Sequence, residues 1–77
     1  MIREHDTLVL ASDLPDIGLK AGDVATVVLV HPAGGCEVEF MTLDGETLAV
    51  VSLSMDQLRP IRTREIAHAR QIDQVQR

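Results

Sequence analysis

Asp44-Gly45 lies between two β-prone stretches and constrains this chain more than any other feature. Asp-Gly is the strongest short hairpin signal, because both central residues of a tight type I′ turn take positive φ. Glu37-Val38-Glu39-Phe40-Met41 precedes it, with Val38 and Phe40 pointing one way and the two glutamates the other. Thr47 to Leu53 reads as the return strand. If Asp44 and Gly45 alone make the turn, Leu43 faces Glu46, Thr42 faces Thr47 and Met41 faces Leu48. Phe40 then faces Ala49, Glu39 faces Val50 and Val38 faces Val51. Paired residues share a face. Val38, Phe40, Ala49, Val51 and Leu53 therefore form an inner face, while Met41, Leu48 and Val50 lie outside beside Glu39.

Three aliphatic residues on an outer face are unexpected, since a sheet face that meets water is normally polar. Met41, Leu43, Leu48 and Val50 are the candidate partner-binding residues. The plainer account is that the chain's own tail covers them; a homodimer or another protein is the alternative. A one-residue bulge would move part of the set inward.

The rest of the chain reads as further short strands. Thr7 to Ala11 is β-prone and ends in the loop residues Ser12 to Asp16. Gly18 and Gly22 frame a tight turn with positive φ available at either. Val24 to Val30 is the strongest strand signal, stopped by His31-Pro32-Ala33-Gly34-Gly35. Ser54 to Leu58 reads as one short helical turn and Arg59-Pro60-Ile61 as a last strand. The expectation is an all-β chain, a small barrel of about five strands with a 3₁₀ turn. A barrel is preferred because an open sheet this short leaves edges to manage. Residues 1–61 make the barrel and 62–77 a basic C-terminal tail. In the tail, Thr63 predicts a helix N-terminus with Ile66, Ala69, Ile72 or Asp73, and Val75 near one face; the alternative is an extended tail, with a short strand over 65–69 followed by a loose end.

Charge divides the chain three residues earlier, between 58 and 59. The net charge is −5, but residues 1–58 hold two cations against ten acids, −8, and residues 59–77 hold five arginines against two acids, +3. Nucleic-acid binders draw most of their non-specific affinity from Lys and Arg, which the body lacks. The candidate tail contacts are Arg62, Arg64 and Arg70, without interleaved aromatics. Phe40 is the only aromatic residue, so the core falls to Val, Leu, Ile and Met.

No motif carries catalytic chemistry, and the expectation is that the chain is not an enzyme. His5, His31 and His68 have no local ligand spacing, and no metal or cofactor is expected. Cys36 is the one cysteine; His31 lies near it in sequence, but a buried, inert strand thiol is the more common case. Asp13, Asp16 and Asp23 lack calcium-loop spacing and read as turn residues. The charged N-terminus is neither signal peptide nor anchor, no apolar run has the length of a membrane span, and a cytoplasmic location is expected.

Three blocks carry a resemblance. Ile17 to Val28, then Val38-Glu39-Phe40 with Leu43 to Val51, and then Leu58-Arg59-Pro60 resemble a bacterial and cyanobacterial family catalogued only as a domain of unknown function (number 4926). The likeness covers about residues 1–70 and departs from the usual pattern at Ala25, where glycine is expected. It implies an SH3-like barrel and no activity. It also implies an antitoxin-like association with a neighbouring small gene product. The Gly-Asp-Val block is similar, at the level of fold, to barrels of ribosomal and transcription proteins and of the nitrile hydratase β subunit. The leading expectation is a non-catalytic protein-interaction module, a small acidic partner. The alternatives are a nucleic-acid-binding barrel that uses its tail and an accessory subunit of an enzyme.

Overall fold

A computed structural model describes residues 2–72. Five antiparallel strands make one sheet: β1 (Thr7–Leu10), β2 (Val24–Val30), β3 (Cys36–Met41), β4 (Thr47–Leu53) and β5 (Leu58–Pro60). The spatial order is β4-β3-β2-β1-β5, and the fold is a small SH3-like barrel. The order has two ends. β4 and β5 do not pair with each other, so closure does not remove the edges as the sequence led us to expect.

Two 3₁₀ turns interrupt the strands, Pro15–Ile17 and Met55–Gln57. The first falls in the segment read as plain loop; Pro15, with its preset φ, starts it. Its far side is tied down where Leu14 and Leu19 bridge and the Ala21 amide donates to Asp13 Oδ1 at 2.9 Å. The second is closed by Gln57, whose Oε1 accepts from the Ser54 amide at 2.9 Å.

One face of the sheet holds the core. Leu8, Leu10, Leu19, Ala25, Val27, Cys36, Val38, Phe40, Leu53 and Leu58 are buried together. Leucine and valine fill it around the single aromatic ring. Met41, Met55 and the isoleucines that composition allowed remain outside this cluster, with Ile2 and Ile72 packed at its margin. Ala25, opposite Leu8, is buried on an ordinary strand, so the departure from glycine costs this backbone nothing.

Both hairpins use the same reversal, and it differs from the two-residue turn predicted. The Gly45 amide donates to the Thr42 carbonyl at 3.0 Å, and the Thr42 amide to the Glu46 carbonyl at 2.8 Å. The loop is thus three residues, Leu43-Asp44-Gly45, with Gly45 at φ +98°. At the β2–β3 reversal the Gly34 amide donates to His31 and the His31 amide to Gly35, with Gly34 at φ +116°. Only the third loop residue needs positive φ in this geometry, so Asp44 need not adopt it.

The extra loop residue is absorbed by a bulge. Thr47 pairs with Met41 and Ala49 with Phe40, which leaves Leu48 without a partner in the ladder. The expected Met41–Leu48 pair is therefore wrong. From Phe40 back to Val38 the expected partners Ala49, Val50 and Val51 are found, and Leu53 lies opposite Cys36.

Candidate functional site: the outer face and its two edges

The bulge does not turn the aliphatic set inward. Met41 is 46% exposed, Leu48 40%, Val50 53% and Leu43 90%. Alternation sends Val38 and Phe40 into the core and leaves Met41 and Val50 outside. Leu43 is at the loop tip rather than on the sheet face. Glu39 sits opposite Val50, and its Oε2 accepts from the Thr47 hydroxyl at 2.5 Å. The patch widens onto β2, where Val24, Val28 and Leu29 are also exposed. Val28 falls at a second bulge, between Val27 paired with Val38 and Leu29 paired with Glu37.

Residues 62–72 of the tail do not cover this patch, whose side chains stay exposed among the described residues. Residues 62–72 form neither helix nor strand, and Arg64 takes φ +66°, which a helix starting at Thr63 does not permit. Asp73 and Val75, counted toward that helix, lie outside the described residues. Two arginine–carboxylate forks place the tail instead. Arg59 on β5 donates to Glu65 Oε1 and Oε2 at 2.9 and 2.7 Å, and the Arg62 amide adds a bond to Glu65 at 2.7 Å. Arg70 donates to Asp23 Oδ1 and Oδ2 at 3.0 and 2.6 Å and to the Gly18 carbonyl at 3.2 Å. Bidentate pairs of this kind fix direction as well as distance.

These forks bracket Val9. Register puts Val9 between Val24 and Arg59, on the face away from the core, yet it is 5% exposed. Asp23 adjoins Val24, so the two forks stand on either side of Val9.

The forks also set the carboxylate chemistry. Arg59, with the Arg62 amide, holds Glu65 down to about 2. Burial pulls Asp23 up, but the Arg70 guanidinium and the Lys20 amide outweigh it and keep its carboxyl below its ordinary value. Both arginines are pushed up by the same contacts.

The candidate tail cations thus separate. Arg70 is spent on Asp23, while Arg62 and Arg64 remain exposed. The Asp23–Arg70 pair spans 47 residues, and no local spacing could have pointed to it.

Other groups singled out in the sequence have structural partners. Cys36 is fully buried, which pushes its thiol up. His31 faces Glu37, Nε2 to Oε2 3.6 Å, rather than the thiol. Among the described residues no three of His, Cys, Asp and Glu gather as ligands for a metal. Two shallow open grooves share Ile2 and Met55 in their walls; of acids and arginines they present only Asp6 and Arg59. No helix among the described residues is long and apolar enough to cross a membrane.

Residues 4–60 match a family described as "Domain of unknown function (DUF4926)". The match ends at Pro60, so the tail that carries Glu65 and Arg70 lies beyond it. No curated protein and no solved structure matches the chain significantly.

Proposed function

The chain belongs to the DUF4926 family, a domain of unknown function, and from that premise we propose that it is a non-catalytic protein-interaction module. The observation that carries this reading is the aliphatic set Met41, Leu48 and Val50, exposed among the described residues on the outer face of the β3–β4 hairpin and extended by Leu43 at its tip. A chain of 77 residues has little apolar area to spare. Leaving this much outside the core is a cost unless another surface covers it.

The finer role is that of a small acidic, antitoxin-like partner of a neighbouring gene product. The −8 charge of residues 1–58 supports it, as that surface attracts a basic protein. The same charge weighs against nucleic acid, as does the engagement of Arg59 and Arg70 with acids of this chain.

Leu48→Asp tests the module. The charge should abolish assembly and leave the β-sheet circular dichroism intact, because Leu48 is exposed and outside the core. The readout is light scattering of the tagged protein, alone and after recovery from its native host. If the wild-type chain travels as a lone species in both, the reading fails. Retention on a filter at low salt and micromolar protein would favour the nucleic-acid alternative instead.

A further inference from the structure

We propose that β4 is the edge through which two copies of this chain join, antiparallel and two-fold, with Val50 beside the partner's Val50. The inference rests on the interaction-module reading and names a second copy as the occupant of the neutral β4 edge, which leaves the acidic surface elsewhere on residues 1–58 for a basic partner.

Among the described residues the sheet has two edge strands, β4 and β5, and only one is guarded. β5 has three residues, ends in Pro60, and carries Arg59, whose Nη1 donates to the Pro60 carbonyl at 3.0 Å while its fork holds the tail. Short length, proline and charge are the usual means by which an edge is made unfit for pairing. β4 has none of them. Its seven residues, Thr47-Leu48-Ala49-Val50-Val51-Ser52-Leu53, include no charge and no proline. The Leu48 bulge distorts only the end near the loop; from Ala49 to Leu53 the ladder with β3 is regular.

Charge selects the occupant. Two chains of −5 meet with least repulsion through a face without acids. Of the two edges, β4 is the neutral one. A basic strand would find no carboxylate on β4 to answer it, since Glu37 and Glu39 stand one strand behind and Glu39 already accepts from Thr47. In the two-fold arrangement Leu48 lies opposite the partner's Ser52, and no charged side chain lies on the seam. The two Glu39 carboxylates are then three strand spacings apart, roughly 14 Å. That exceeds the Debye length of about 8 Å at physiological salt, so their repulsion is screened.

Symmetry supplies the stop. Joining β4 to β5 of the next chain would propagate a filament, and β5 is blocked. Joining β4 to β4 consumes the one open edge of each copy and closes. It also sets the Met41 and Val50 side chains of both copies along one continuous outer face.

Sedimentation velocity from micromolar to sub-millimolar protein tests this. The wild-type chain should reach about twice its 8.4 kDa. Val50→Lys should weaken association at least tenfold with its circular dichroism unchanged, whereas Ile66→Lys in the tail, at a side chain 90% exposed, should leave it intact. Hydrogen exchange of the wild-type chain gives a second readout that needs no variant: amides of β4, and not of β5, should gain protection as concentration rises. A wild-type chain that stays at 8.4 kDa throughout, or β4 protection that ignores concentration, overturns the proposal. If that lone chain still captures a different protein in a Leu48-dependent way, the second copy is excluded and the module stands. If it captures nothing, both fail.

Discussion

The two edges of the sheet solve the same problem in opposite ways. β5 is three residues long, capped by a proline, and strapped by an arginine fork to the tail. β4 is seven residues long, neutral and open, with half-exposed aliphatic residues on the face beside it. An unpaired strand offers its backbone groups to any other strand, so the second state is tolerable only if something uses it. The difference separates the part of the surface that the chain covers for itself from the part that it leaves for another molecule.

The largest expected effect would erase the comparison. Phe40→Ala removes the only aromatic ring from a fully buried position beneath both hairpin strands. It should cost about 3–5 kcal/mol, enough to unfold so small a chain, and both edges should melt in one thermal transition. A separate surviving transition would show that β1 and β5 stand without the hairpin.

Glycine changes act on the β4 side alone. A Cβ at Gly35, at φ +82°, would lie 2.8 Å from the Leu53 carbonyl oxygen at the end of β4. Gly45, at φ +98°, has open space around it. Gly45→Ala should cost about 1–2 kcal/mol from backbone strain only. Gly35→Ala should cost more, because the strand must also move. Urea unfolding of the two variants decides this, and the reverse ranking would contradict the packing described.

Exchanging the protection should exchange the behaviour. Arg59→Thr with Pro60→Val strips β5 of its guards and releases Glu65. Turbidity on concentration should rise as a second open edge lets chains propagate. Val50→Lys puts a charge on β4 and should change unfolding stability by less than about 0.5 kcal/mol, since the side chain is exposed. A large loss on Val50→Lys would mean that Val50 supports the fold rather than the surface.

The smallest effects belong to the strap. Asp23→Asn removes the Arg70 fork and should cost under about 1 kcal/mol, less in high salt, because the pair is partly exposed. Acid should do the same work. Glu65 and Asp23 both have lowered folded-state values, so their contribution is present above their ordinary values of 4.5 and 3.8. It fades as pH falls, for Glu65 toward about 2. Carboxyl NMR shifts should place the Glu65 midpoint near that value; a midpoint at 4.5 would mean that the fork does not persist in solution.

Much of the fold was legible because its signals are local. Val24 to Val30 is β-branched throughout, and the alternation across Glu37 to Phe40 assigns each residue to a face before any coordinates exist. Alternation also marked Met41 and Val50 as outward, and that placement holds because the bulge is confined to Leu48. The turn length was misread because Asp-Gly suits two geometries that share a glycine at positive φ; a hydrogen bond from Gly45 to Thr42 distinguishes them. The sparse apolar spacing of the tail leaves helix and extended path both open, and over residues 62–72 the structure takes the extended path. Its path depends on Asp23 and Arg70, which the chain separates widely and the sheet brings together.

The sequence by itself determined the strands, the sidedness of their residues, the buried phenylalanine and the division of charge at the end of the barrel. Each follows from residues within a few positions of one another, where side-chain period and turn chemistry act. Tertiary structure alone decided that the sheet keeps two edges, that Arg59 on one of them is tied to Glu65, and that Met41, Leu48 and Val50 stay exposed among the described residues. Those outcomes depend on which strands come to lie side by side. Pairing distant segments is a matter of register and packing across the whole sheet, and no short stretch of residues encodes it.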